Sequence, residues 1–509
     1  TGGGVNNTTT SNAVSLSGGA TVTTGVVGTN PVNGGGTALS PTALVAGQTF
    51  NSTLNVNDNF TGLAATLSGT TVNGNAADTD VITLTGAATL AIGDGTTGGT
   101  ITNIKTLNLA NATNAITFGA ATTGITTVNG GTGDDSVNLT GAGASFTAGN
   151  VNLGTGTNTL TLGALSYTGT FSAGAGTTDT LSLINGTNIA GANITGFEQL
   201  TLANNSSVTL TAAQYAAFTG TVTAAGAETL TFTTAGTVAG NAAIENYNLA
   251  NGVNTFTAAA GAVSVVGGTG NDTLNISEAI YNASIATING GLGIDVLNVG
   301  AVTAAINLST KTTGIETINV TGGTTAAWTV TNENGAGVVL NFTKSAATDI
   351  NNVVLGTGGQ TLNILGAGTG NTTITGGSGV DTINLSTTAT GADTIATGSV
   401  LANIDTVANF KVAGADVFKT GTAATTLNLL SIATADTATL AAAIATAASA
   451  AGAALAANTQ AYVITVAAGT AAGTYAFQNI GGTVGTVDAT DFIVKLTGAG
   501  SIVAGDFIA

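Results

Sequence analysis

The 509-residue chain has no cysteine, no histidine, no methionine and no arginine. It has 2 prolines, 1 tryptophan and six basic residues, all lysine: Lys105, Lys311, Lys344, Lys411, Lys419 and Lys495. Only 6% of residues are charged, against roughly 25% in an average globular protein. These absences exclude a thiolate nucleophile, a disulfide, a zinc site of the usual kind and a histidine general base. Six scattered lysines make neither a phosphate clamp nor a nucleic-acid groove. No catalytic residue is assigned, and the chain reads as a non-enzyme. With aromatics at 4%, Ala, Val, Ile and Leu must fill thin core layers. A long uncharged stretch, Thr437 to Val487, is mostly Ala, Thr and Gly. That composition does not suit a spanning helix, so the chain is expected not to be transmembrane.

What is present is hydroxyls, amides, 76 glycines and 24 carboxylates, for a net charge of -18. Such groups suit hard, oxygen-ligated cations such as Ca²⁺. Short runs alternate Thr, Asn or Ser with Val, Ile or Leu, as in Val81 to Thr85, Thr229 to Phe232 and Thr317 to Val320. Period-two alternation of this kind predicts half-buried strands, with glycine-rich turns between them. No long helix is expected before Ala435; Ala435 to Asn458 is the one good candidate.

Internal repeats set the architecture. Gly130 to Asn138 (GGTGDDSVN), Gly267 to Asn275 (GGTGNDTLN), Gly290 to Asn298 (GGLGIDVLN) and Gly376 to Asn384 (GGSGVDTIN) fit G-G-x-G-x-D-x-U-x at every fixed position. Degenerate nonapeptides precede them in frame, and a damaged copy runs from Thr71 to Asp80. A second repeat reads GFEQLTL from Gly196, AIENYNL from Ala243, GIETINV from Gly314 and NIKTLNL from Asn103. Its acids Glu198, Glu245 and Glu316 are expected on the surface at the bend of each coil. The copies at 267 and 290 lie 23 residues apart, a step that matches one coil of a parallel β-helix or β-roll. Stacked coils place like residues in ladders, which accounts for the monotony of Thr, Asn, Val and Ala.

The fold class expected is therefore all-β: a parallel β-helix/β-roll solenoid of short coils with calcium-binding turns, plus a C-terminal β-rich cap with one Ala-rich helix. The expected divisions are an irregular N-terminal segment or first strands at 1–60, the solenoid at 61–400 and the cap at 401–509.

In G-G-x-G-x-D, glycines admit backbone conformations that other residues resist, and Asp adds a carboxylate. Ca²⁺ takes six to eight oxygens, so two turns one coil apart are expected to share an ion. The strongest pair is Asp272 and Asp295, with carbonyls near Gly268, Gly270, Gly291 and Gly293. The same reasoning assigns Asp134 and Asp135 with Gly131 and Gly133, Asp381 with Gly377 and Gly379, and Asp80. The coil neighbours of Asp135 and Asp381 are expected to be Asn158 and Gln360.

These nonapeptides resemble those of RTX calcium-binding proteins exported by type I secretion. Ile404 to Phe410, then Gly414 to Phe418, is similar to the segment that closes an RTX block, with Asn409 where the family has Asp. Segments at Ala461 to Ile464, Gly473 to Phe477 and Asp491 to Gly498 resemble strands of that cap. The ending Gly505 to Ala509 resembles an uncleaved secretion signal. The low-complexity acidic body is similar to RTX-type bacterial surface-layer proteins of the Caulobacter type. That resemblance implies an extracellular, calcium-dependent, self-assembling two-dimensional lattice at the cell surface. It also implies an anchor, such as a lipopolysaccharide-binding region, which is not evident in this chain. Asp58, Asp94, Asp349 and Asp393 are candidates for exposed carboxylates at lattice contacts. A secreted adhesin or fibre segment is the alternative; a polymer-cleaving β-helix enzyme is disfavoured by the lack of a basic cluster.

Overall fold

The computed structural model describes residues 41–509, apart from 53–56, 94–98, 121, 177, 309, 323–327, 333–336, 345–350, 397–400, 402, 453–454, 456–458 and 481–483. The chain forms two compact units, 1–233 and 234–509. Each is built from parallel β-coils, as the 20-odd-residue step predicts.

In the first unit an eight-stranded and a seven-stranded parallel sheet run side by side along the sequence. The chain visits them alternately: Thr127–Asn129 joins the first and Asp135–Asn138 the second. Coil strands begin already at Thr42–Ala43, which pairs with Asn59–Gly62. In the second unit a 13-stranded sheet carries the chain from Thr237–Ala239 into the C-terminal region. A seven-stranded sheet, from Ile306–Asn307 to Phe507–Ile508, forms another side.

The alternation in the sequence is the alternation of faces. Every second residue points inward, and register stacks equivalent positions coil on coil. One inward column runs Phe256, Leu274, Leu297, Ile318, Leu340, Leu362, Ile383 and Val407, all fully buried. Each Leu or Ile removed from water in this way contributes about 1.5–3 kcal/mol. One residue along, on the outer face, the same coils present Asn275, Asn298, Asn319, Asn341, Asn363 and Asn384. From Asn298 on, each Nδ2 donates to the Oδ1 of the asparagine one coil before, at 2.7–2.8 Å. The column repeats at the inter-strand spacing of about 4.8 Å.

The Ala-rich segment yields a helix at Leu440–Ala450, shorter than the stretch that predicts it. Leu440, Ile444 and Ala448, four residues apart, form its buried stripe. That stripe packs on Leu430, Ile432, Tyr462 and Ile464. Strand Thr426–Ile432 pairs parallel with Gln460–Val466, which continues antiparallel through Gly473–Gln478 to Phe492–Thr497. The last of these pairs parallel with Thr406–Ala408 and so closes the end of the coil stack. The C-terminal Phe507–Ile508 pairs with Val417–Lys419. Phe410 and Phe418 stack beneath it with ring centroids 4.0 Å apart.

Candidate metal centre

The acid of each nonapeptide stands at the entry of its strand, and so does the acid of the second repeat. The two motifs therefore occupy one structural position. Their side chains turn into the coil and form rows running up the stack. In the second unit, Asp272 Oδ1 accepts the backbone N–H of Asn254 at 2.8 Å. Asp295 Oδ1 accepts that of Asp272 at 2.7 Å, and Glu316 Oε2 accepts that of Asp295 at 2.7 Å. Val338, which is buried, takes the place in the following coil. The row then resumes: Asp381 Oδ1 accepts from Gln360 N–H and Asp405 Oδ1 from Asp381 N–H, both at 2.8 Å. In the first unit the same pattern links Asn114, Asp135, Asn158, Asp179 and Glu198.

The predicted coil neighbours are thus neighbours. Asp272 lies one coil from Asp295, Asp135 one coil from Asn158, and Asp381 one coil from Gln360. The turns in front of them are stacked by backbone hydrogen bonds. Gly270 N–H donates to the Leu292 carbonyl at 2.7 Å, and Leu292 N–H to the Gly268 carbonyl at 3.1 Å. The carbonyls of Gly268 and Gly270 point along the stack and close on Gly291 and Gly293 of the next coil. Gly293, at φ +149°, leaves no room for a Cβ beside the Gly270 backbone. Gly131 and Gly133 meet residues 111 and 112 of the preceding coil in the same way, and Gly377 and Gly379 meet Gly356 and Gly358.

What remains for a cation is the second carboxylate oxygen. Oδ2 of Asp135, Asp179 and Asp295 is buried without a hydrogen-bond partner; that of Asp381 faces the Gly377 N–H without forming one. Burial pushes all four carboxyls above the usual range, outweighing the backbone bonds they accept. Asp272 Oδ2 takes a long bond of 3.3 Å from Gly268 N–H.

At Gly130, Gly267 and Gly290, the first glycines of three of these turns, this oxygen and a carbonyl from the next coil converge on the space a Cβ would fill. At Gly267 they are Asp272 Oδ2, 2.6 Å from that point, and the Gly290 carbonyl. At Gly290 they are Asp295 Oδ2, also 2.6 Å away, and the Gly314 carbonyl; at Gly130 they are Asp135 Oδ2 and the Leu153 carbonyl. These are hard oxygen donors, of the kind that fit Ca²⁺. They come as one carboxylate and one carbonyl per turn. Among the described residues no group of three or more Asp or Glu side chains gathers to hold a metal.

Asp134 does not join Asp135. It is exposed, and its Oδ1 caps Thr157 N–H at 2.7 Å, on the opposite side of the chain from its buried neighbour. Consecutive residues of a strand entry point to opposite faces. Asp80 belongs to a row of its own: Oδ1 accepts from Asp58 N–H at 2.8 Å and Oδ2 from Asn75 N–H at 2.7 Å.

Several expectations are corrected. Asp58 and Asp393 are not exposed; both are buried within such rows. Asp94 and Asp349 lie outside the described residues. Glu198 and Glu316 are half-buried row members rather than surface residues at a bend, because the long side chain reaches back to the coil before. Asn114, Asn254 and Asp179 escaped the motif search, since their turns keep few of the glycines. The signal that would find Asp179 and Asn254 is a carboxylate or amide directly ahead of a T-L-x-L or T-F-T strand; Asn114, ahead of A-I-T-F, shows neither.

No helix among the described residues is long and apolar enough to cross a membrane. Compared with family models, curated proteins and solved structures, the chain matches none of them, so the rows of buried acids are the feature from which a function must be argued.

Proposed function

We propose that this chain is a structural subunit of a self-assembling, calcium-dependent cell-surface layer, exported by a type I system and without catalytic activity. One observation carries the reading: buried carboxylates with unpartnered oxygens and adjacent aliphatic side chains occur on the same turns. In the turn Gly290–Asp295, Asp295 Oδ2 is buried, while Leu292 and Ile294 stand 72% and 63% exposed. Val380 is likewise exposed beside Asp381. Apolar side chains at turn tips suit contact with another copy of the chain.

Asp272 with the Gly290 carbonyl, Asp295 with the Gly314 carbonyl and Asp135 with the Leu153 carbonyl would hold Ca²⁺, and Asp381 a further ion. A bound divalent cation neutralises the buried carboxylates, so its binding free energy becomes folding free energy. The protein's own part is to pin Oδ1 on the preceding coil and aim Oδ2 at the carbonyl. The low charge of the outer columns of Thr and Asn lets copies approach despite a net charge of -18.

Negative-stain microscopy of the purified chain, in EGTA and in millimolar Ca²⁺, tests this. Two-dimensional sheets in Ca²⁺ alone support the reading. Monodisperse rods in both conditions contradict it and favour the adhesin or fibre alternative.

A further inference from the structure

The chain has no cysteine, so a covalent staple must come from other side chains. Among its six lysines, Lys344 is singular: its side chain is fully buried. Its Nζ lies 2.7 Å from Asp393 Oδ1, whose side chain is 4% exposed, and donates also to the Gly370 carbonyl at 2.9 Å. Asp393 Oδ1 accepts a second bond, from Thr372 N–H at 2.9 Å. One coil on, Asp416 Oδ1 accepts Asp393 N–H at 3.0 Å and its Oδ2 accepts Lys411 N–H at 2.8 Å. Asp416 is buried too, and close enough to feel the charges of both Asp393 and Lys344.

We propose that Lys344 and Asp393 condense to an intramolecular isopeptide bond, with Asp416 positioning Asp393 and relaying the proton. Transfer of one proton within the buried pair gives a neutral amine and a neutral carboxylic acid, the reactive forms, which a site shielded from water favours over two ions. The Nζ lone pair adds to Cγ of Asp393. Negative charge developing on Oδ1 is held by Thr372 N–H. Oδ2, which carries the proton of the neutral acid, departs as water on taking a second proton from Asp416 in its carboxylic acid form, and the nitrogen returns a proton to the Asp416 carboxylate so formed. One amine and one carboxylic acid become one amide and one water, and nothing is oxidised or reduced. The bond ties the end of strand Val339–Thr343 to the entry of Thr394–Ala396, spanning coils that hydrogen bonds alone join elsewhere.

Intact mass under denaturing conditions, with sequencing of protease fragments, tests this on the full chain. The expected result is a chain one water lighter than its sequence, with a branched peptide joining Lys344 to Asp393. Lys344→Ala should restore the full mass, and Asp416→Asn should leave most molecules unlinked while far-UV circular dichroism is unchanged. A full-mass wild-type chain overturns the proposal, as does a water loss that persists in Lys344→Ala. Linkage at the wild-type extent in Asp416→Asn overturns the role of Asp416.

Discussion

Asp295 Oδ1 accepts the backbone N–H of Asp272 at 2.7 Å, across the 23 residues that make one coil. A carboxylate that pins a coil and keeps a second buried oxygen has two separable roles. Asp295→Ala leaves the Asp272 N–H without a partner and should destabilise the chain by about 1–3 kcal/mol, by denaturant melt. Asp295→Asn keeps an acceptor and removes the buried charge. In EGTA it should melt at or above the wild-type temperature, while losing part of the stabilisation that Ca²⁺ gives the wild type. A large loss of stability in EGTA for Asp295→Asn would show that the charge itself holds the coil.

The aliphatic column predicts a steeper cost than any polar row. Leu340, between Ile318 and Leu362, has no exposed surface. Leu340→Ala should cost about 2–5 kcal/mol, measured by the same melt.

The asparagine column is partly solvated, so its bonds compete with water. Asn319→Ala cuts the bonds to Asn298 and Asn341, and about 0.5–1.5 kcal/mol should be lost per bond at most. A loss rivalling that of Leu340→Ala would mean the outer column, not the core, sets stability.

Asp491 supplies a pH prediction away from the candidate calcium turns. Its carboxyl accepts from Ile480 N–H and Asp488 N–H, yet burial drives its pKa above the ordinary value of 3.8. The folded chain thus binds the proton more tightly than the unfolded one. The resulting stability is fully present below the unfolded value and is lost as pH rises through the folded one. In EGTA the wild type should gain stability relative to Asp491→Asn as pH falls from 7 toward 4. An equal pH slope in both proteins would contradict this.

The turn-tip aliphatics make a prediction about assembly alone. Ile294→Lys, at a side chain already exposed, should leave the monomer's melting temperature nearly unchanged and abolish sheets in Ca²⁺. Sheets of wild-type quality would remove this edge from the lattice contacts.

Coils, strand faces and the 23-residue step were legible because they follow from period-two patterning and fixed-interval repeats. The pairings of Asp272 with Asp295 and of Asp135 with Asn158 came from the same arithmetic. Where each carboxylate pointed was not legible. Asp134 and Asp135 are adjacent in sequence, and only the strand entry decides that one faces water and the other the core. The glycine carbonyls were expected to gather round an ion, whereas that of Gly268 accepts the Leu292 N–H of the next coil. Spacing along a chain does not encode that choice; the close stacking of turns does. Asp393 read as a surface acid because its partner, Lys344, lies 49 residues before it, outside any repeat frame.

The most direct measurement is the thermal melt of the full chain in EGTA and in millimolar Ca²⁺, beside Asp272→Asn/Asp295→Asn. A single site saturated a hundredfold above its dissociation constant adds about 2.7 kcal/mol. The wild type should therefore melt several degrees higher in Ca²⁺, and the double variant should lose part of that gain. Identical wild-type melts in the two buffers would contradict a calcium-binding role for these buried rows.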